Sequence, residues 1–234
     1  MSEARGIRLA PSAALKERRL ASLLAGRDPE GAELQAAVWD AQLLGSLELA
    51  GHRVSWQEVV ASRSGSGPEP VLRLRRAVAA VPPGAALTMA ALTAWHGALL
   101  GPGAGYRSRP HPREGFPPSP PELIEGRLAI LEQWMGSEGA TGLKPMQQAA
   151  LAVARIVEIL PFEDGNGRVA RLAASHLMVS GGMRPPILVG GDGPRLVAVL
   201  QAAFHFNTEP LCALLVEASE RCLDVMIQAL ENPS

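Results

Sequence analysis

The sequence predicts a mainly α fold with one short irregular flap. Three observations carry this. Apolar residues recur at helical spacing through most of the chain, strand-like alternation is scarce, and the segments that break the pattern are rich in Pro and Gly. Of 234 residues, 47% are hydrophobic and 19% charged, which suits a buried core and not a disordered chain. Aromatics are only 4%, so aliphatic side chains and Ala carry the packing.

Helical spacing runs through 13–24, 33–49, 71–80, 89–100, 123–135, 145–160, 168–179, 194–204 and 210–230. Pro145 suits the first turn of its helix, and Gly181-Gly182 suits a helix stop. Residues 61–70, ASRSGSGPEP, read as a flexible loop or linker. Residues 101–121, GPGAGYRSRPHPREGFPPSPP, are too rich in Pro and Gly for a helix and form either a small hairpin or an irregular flap. A connection that long points to a functional lid. The expected organisation is N-terminal helices over 1–60, a linker over 61–70 and a core domain over 71–230.

Net charge is −1 with a pI near 6.5, so no global basic field favours nucleic acid. Lys16 and Lys144 are the only lysines; the other basic residues are arginines. Cys212 and Cys222 are the only cysteines and face different sides of one predicted helix, so they are expected to stay reduced. No signal-peptide core and no membrane-length apolar run is visible, so the expectation is a cytoplasmic protein with no membrane partner.

The chemistry concentrates in residues 159–171, ILPFEDGNGRVAR. Gly165-Asn166-Gly167 offers closely spaced backbone N–H groups with little obstruction. The helix that follows points its positive end at the same spot. Arg168 and Arg171, three apart, fall on nearly one face and present two guanidinium forks to phosphate oxygens. Asp164 is a carboxylate placed to hold Mg²⁺ with phosphates completing the shell. Phe162, beside Pro161, anchors the loop in the core.

This segment resembles the Fic (Fido-fold) signature, His-Pro-Phe-x-(Asp/Glu)-Gly-Asn-Gly-Arg-x-x-Arg. Every fixed position matches except the first, where Leu160 stands for His. The helices around it, KPMQQAALAVARIVEI and RLAASHLMVSGG, resemble the family's, and the resemblance extends over about 87–218. It implies a Fic-type helical core and transfer of the AMP part of ATP onto a protein hydroxyl. The family's His is the general base, its acidic residue holds Mg²⁺, and the Gly-Asn-Gly loop with both arginines holds phosphates. By position, Asp164 is then the metal ligand, and Gly165, Asn166, Gly167, Arg168 and Arg171 form the nucleotide cradle. ATP and Mg²⁺ are the implied cofactors.

Leucine accepts no proton, so position 160 marks a missing base. A positioned base accelerates such transfer by about 10²–10⁴-fold, and its loss predicts absent or very weak AMP transfer. Glu163 is the nearest substitute, at the signature's variable position. Glu158 falls on the wrong helix face, and His176 and His205 read as ordinary core or surface imidazoles. SLELAGHRVSW resembles the family's inhibitory helix, (Ser/Thr)-x-x-x-Glu-(Gly/Asn), with Ser46, then Ala50 in place of Glu, then Gly51. Glu48 is two residues off and should point away. The prolines of the flap weaken strand addition, and Leu196-Val197 replaces an aromatic pair often used near the nucleotide base. Three readings follow: a protein that binds a nucleotide or phosphorylated compound without catalysis, an enzyme with repurposed phosphoryl or nucleotidyl transfer, lyase or hydrolase chemistry, and a non-catalytic protein partner.

Overall fold

The computed structural model describes residues 11–26, 31–101, 103, 105–112 and 116–232. The first ten residues of the predicted N-terminal segment and five residues of the predicted flap therefore lie outside the described part. The described residues form eleven α-helices and no strand. They are α1 (Pro11–Leu23), α2 (Ala32–Glu48), α3 (Trp56–Ala61), α4 (Glu69–Ala79), α5 (Met89–Leu100), α6 (Ile124–Met135), α7 (Glu138–Thr141), α8 (Pro145–Ile159), α9 (Asn166–Ser180), α10 (Gly193–Phe204) and α11 (Glu209–Glu231).

All nine helices expected from spacing are present, with ends shifted by a few residues. Two short ones went unread. α3 is opened by a capping box in which Ser55 and Glu58 satisfy each other's backbone N–H groups, and Ser-x-x-Glu was its signal. α7 is one turn capped by Ser137, too short to show a period. The described flap residues between α5 and α6 are irregular rather than paired as a hairpin.

α8 is the centre of the core. Ala149, Ala150, Ala152, Val153, Ala154, Ile156 and Ile159 are all buried along it, so it is wrapped on most sides. Its small residues let α9 pack close beside it after the loop at 160–165. The same continuous core takes Leu43 and Leu47 from α2, Leu74 from α4, Trp95 from α5, Leu128 from α6, Met178 from α9 and Leu215 from α11. Burying a large aliphatic side chain is worth about 1.5–3 kcal/mol, so this set supplies most of the driving force.

The N-terminal helices are tied to the rest by packing and charge. A Cβ on Gly45 would lie 1.7 Å from the Leu188 carbonyl oxygen, so only glycine lets α2 approach there. Asp40, fully buried on α2, accepts from Arg63 Nε at 2.7 Å and from Arg75 Nη2 on α4. Residues 61–70 carry the end of α3, a 3-10 turn at Ser62–Ser64 and the start of α4, and Ser62 is buried with its Oγ accepting from Arg75. No helix among the described residues is long and apolar enough to cross a membrane.

Candidate functional site

The loop between α8 and α9 is set by two positive-φ residues. α8 stops at Leu160, whose φ of 50° and ψ of 63° are left-handed, while its N–H still donates to the Ile156 carbonyl at 2.9 Å. α9 starts behind Gly165, at φ 82°, where glycine carries no steric penalty. Between them Phe162 is fully buried and stacks on His96, with centroids 3.7 Å apart. Asn166 then closes the loop on itself: its Oδ1 accepts from Phe162 N–H at 2.9 Å and its Nδ2 donates to the Phe162 carbonyl at 2.8 Å. The Asn166 side chain therefore shapes the loop, and only its backbone is left for an anion.

The flap is fastened to this loop by Arg107, which is buried. Its Nε donates to the Leu160 carbonyl at 2.6 Å, its Nη1 to Arg109 at 2.8 Å and its Nη2 to Ser119 and Ile159. Its backbone N–H donates to Pro161 at 2.9 Å. One guanidinium thus satisfies the last carbonyls of α8 and both ends of the flap. Burial pushes its pKa below the ordinary arginine value, and Glu163 opposes that shift.

The loop, the start of α9 and the flap enclose a cavity of about 260 Å³ lined by Leu49, Ala50, His111, Glu163, Asp164, Gly165, Asn166, Gly167, Arg168 and Arg171. The structure thus gathers most of the site residues expected from sequence. Arg168 is buried and donates from Nη2 to Asp164 Oδ2 at 2.7 Å. Asp164 Oδ1 accepts the Gly165 N–H. Partial burial alone would raise the Asp164 pKa, but these two donors outweigh it and hold the carboxyl below the usual range. Arg171 donates to Ser46 Oγ at 2.9 Å and to the Ser46 carbonyl at 2.7 Å. Burial, and then the charge of Arg168, lower the Arg171 pKa to about 10, so it remains cationic at neutral pH.

Ser46 and Ala50 on and after α2 therefore reach the same two features, Arg171 and the cavity wall. Glu48 points elsewhere, accepting the Gly190 N–H at 3.0 Å, as its helical position requires. Leu160 is buried and is not among the residues lining the cavity. Glu163 lines it and is exposed. Glu158 pairs with Arg155, and His176 contacts the Ala85 carbonyl and the edge of Trp95, so both are engaged away from the cavity. His205 sits at the end of α10 against Phe116. A larger, mainly apolar cavity of about 990 Å³ lies behind Arg171, and its arginines are already engaged: Arg63 and Arg75 by Asp40, Arg171 by Ser46 and Arg184 by Glu17.

Sequence reasoning missed His111 and the reach of Arg107. Both sit in the irregular flap, where no period fixes direction; only the fold brings them to the loop. The signal for His111 was the imidazole inside SRPHPRE, a polar ring between prolines in a stretch already marked as a lid.

One carboxylate suits Mg²⁺, which takes one or two protein ligands and completes its shell with phosphates and water. The Asp164 side chain is 70% exposed and faces the cavity with its charge retained, so the donor set fits. Among the described residues no cluster of three or more His, Cys, Asp or Glu is placed for a metal held by protein alone.

Comparisons with known proteins bear on the fold and the family. The Fic/DOC family pattern matches residues 86–178. The chain is 34% identical over 120 residues to the Protein adenylyltransferase Fic of Drosophila virilis, covering 50% of this chain and 24% of that protein. It thus spans about a quarter of that relative's length. In fold it is similar to Fic-1 (aa 134–508) from C. elegans, with a TM-score of 0.75 and 20% identity over 95% of this chain and 75% of the other. A Fic-domain-containing signaling protein from Bacteroides thetaiotaomicron superimposes with a TM-score of 0.73 and 20% identity, over 95% and 97% of the two chains. Residues 86–178 thus match the Fic/DOC family, and the all-helical fold is similar to that of solved Fic-domain proteins.

Proposed function

We propose that this protein binds a nucleotide or another phosphorylated compound, with Mg²⁺, at the start of α9, and acts through binding while transferring AMP to protein hydroxyls not at all or very slowly. The observation that carries this reading is the pairing of a cavity lined by two guanidiniums and the start of α9 with a hydrocarbon at position 160. Arg168, Arg171 and the N–H groups of Asn166 and Gly167 supply the attraction for phosphate. Asp164 would hold Mg²⁺, whose bound charge would neutralise phosphate oxygens. The buried Leu160 offers no group that could take a proton from an incoming hydroxyl.

Ala50 strengthens the binding half of the reading. A glutamate there would set a carboxylate on the cavity wall, beside Arg171, in competition with phosphate. Alanine adds no charge to that wall, and Arg171 donates to the uncharged Ser46. Isothermal titration of the full chain with Mg²⁺-ATP, ADP and pyrophosphate tests the proposal. Binding of at least one is expected, and Arg168→Ala should weaken it by about tenfold or more through loss of a charge-assisted contact. A folded protein that binds none of them would overturn it.

A further inference from the structure

We propose that His111 of the flap is a phosphate-contacting residue of this site, completing the cradle from the flap and reading the polyphosphate end of the ligand. The inference rests on the phosphate-binding reading above and adds the contact that decides which part of the ligand is recognised.

The polar side chains of the cavity differ in how they are engaged. Asp164 and Arg168 bind each other, Asn166 is closed on Phe162, and Arg171 is held by Ser46. His111 lines the same cavity, yet its Nδ1 is buried with no hydrogen-bond partner among the described residues. Buried polar atoms are nearly always paired, because an unmet one forfeits its contact with water. A ligand oxygen seated against the ring would give Nδ1 a partner, accepting from it in the tautomer that carries the proton there. The flap cannot easily swing the ring away, since Arg107 and the flanking Pro110 and Pro112 restrain it.

The lining also fixes the chemical class. The groups around His111 are two guanidiniums, the glycine-loop N–H groups and the carboxylates Glu163 and Asp164, with Leu49 and Ala50 as the apolar wall. No Phe, Tyr or Trp is among the lining residues to stack on a nucleobase. Recognition therefore falls on a chain of phosphates, and a pyrophosphate group is the smallest probe carrying it. Each side brings something different: α9 supplies fixed cations and backbone donors, and the flap supplies a directional imidazole.

The test uses the full 234-residue chain with inorganic pyrophosphate and Mg²⁺, then with Mg²⁺-ATP. His111→Ala is expected to weaken both ligands by the same factor, about tenfold, because the lost bond is to phosphate. His111→Asn, whose amide lies near the place of Nδ1, should recover most of the affinity. The His111 imidazole resonances, assigned by their loss in His111→Ala, should move when pyrophosphate is added. Melting curves establish that both variants fold; no internal bond of Nδ1 is lost in either. Unchanged affinity in His111→Ala, or His111 resonances that stay still, would overturn the assignment while leaving the phosphate site standing. Failure of the unmodified protein to bind pyrophosphate or ATP would overturn the phosphate reading itself.

Discussion

Leu160 is the residue on which the functional reading turns. It occupies a left-handed backbone position at the end of α8, where a non-glycine residue pays of order 1–2 kcal/mol. Leucine recovers this cost through burial. Histidine accepts the left-handed region more readily than aliphatic residues do, so Leu160→His should fold with a melting temperature close to the parent. If position 160 is the missing base, the variant should raise self-directed AMP transfer by about 10²-fold or more, read by mass spectrometry after incubation with Mg²⁺-ATP. A folded variant that binds ATP and shows no gain would contradict the base assignment. Asn166 is the reverse lesson: its place between two glycines suggests an anion contact, but its side chain is consumed in clamping Phe162, and its contribution is to shape the backbone.

Among the elements, α2 is the most informative. It brings Ser46 to Arg171, Ala50 follows it to the cavity wall, and it is held in place by Asp40. That carboxylate is fully buried while its partners Arg63 and Arg75 keep 32% and 21% of their side chains exposed. Removing the anion would leave two partly buried cations without their counter-charge. Asp40→Ala should therefore destabilise the fold by about 3 kcal/mol, measured by urea unfolding, and loosen α2 from α4. It should also weaken the Arg171–Ser46 contact, because Ser46 is placed by the same helix. A loss below about 1 kcal/mol would mean that packing of Leu43 and Leu47 alone positions α2.

For the whole molecule, stability rests on a shared apolar core and a few polar ties that close its C-terminal side. Asp192 accepts from Arg221 Nη2 at 2.9 Å, from Arg221 Nη1 and from the Val189 N–H at 2.9 Å, joining the segment before α10 to α11. Burial alone would raise its pKa, but the Arg221 and Val189 donors and the charge of Arg195 outweigh that and depress it. A depressed carboxylate contributes stability above its unfolded pKa of about 3.9 and loses it as pH falls through the lower folded value. Asp192→Asn should thus cost about 1–3 kcal/mol at pH 7, and the gap to the parent should narrow below about pH 4, in pH-dependent chemical denaturation. A gap that stays constant down to pH 3 would exclude this pairing as the source.

The sequence by itself determined the helices whose apolar period exceeds two turns, the core anchor Phe162 and the glycine turn that opens α9, because local period and glycine chemistry are written in neighbouring residues. Only the tertiary structure decided that Arg107 staples the flap to Leu160, that Ser46 holds Arg171 and that His111 enters the cavity. Those contacts join residues dozens of positions apart, and their direction depends on how α2, the flap and α9 pack around α8, which no local pattern encodes.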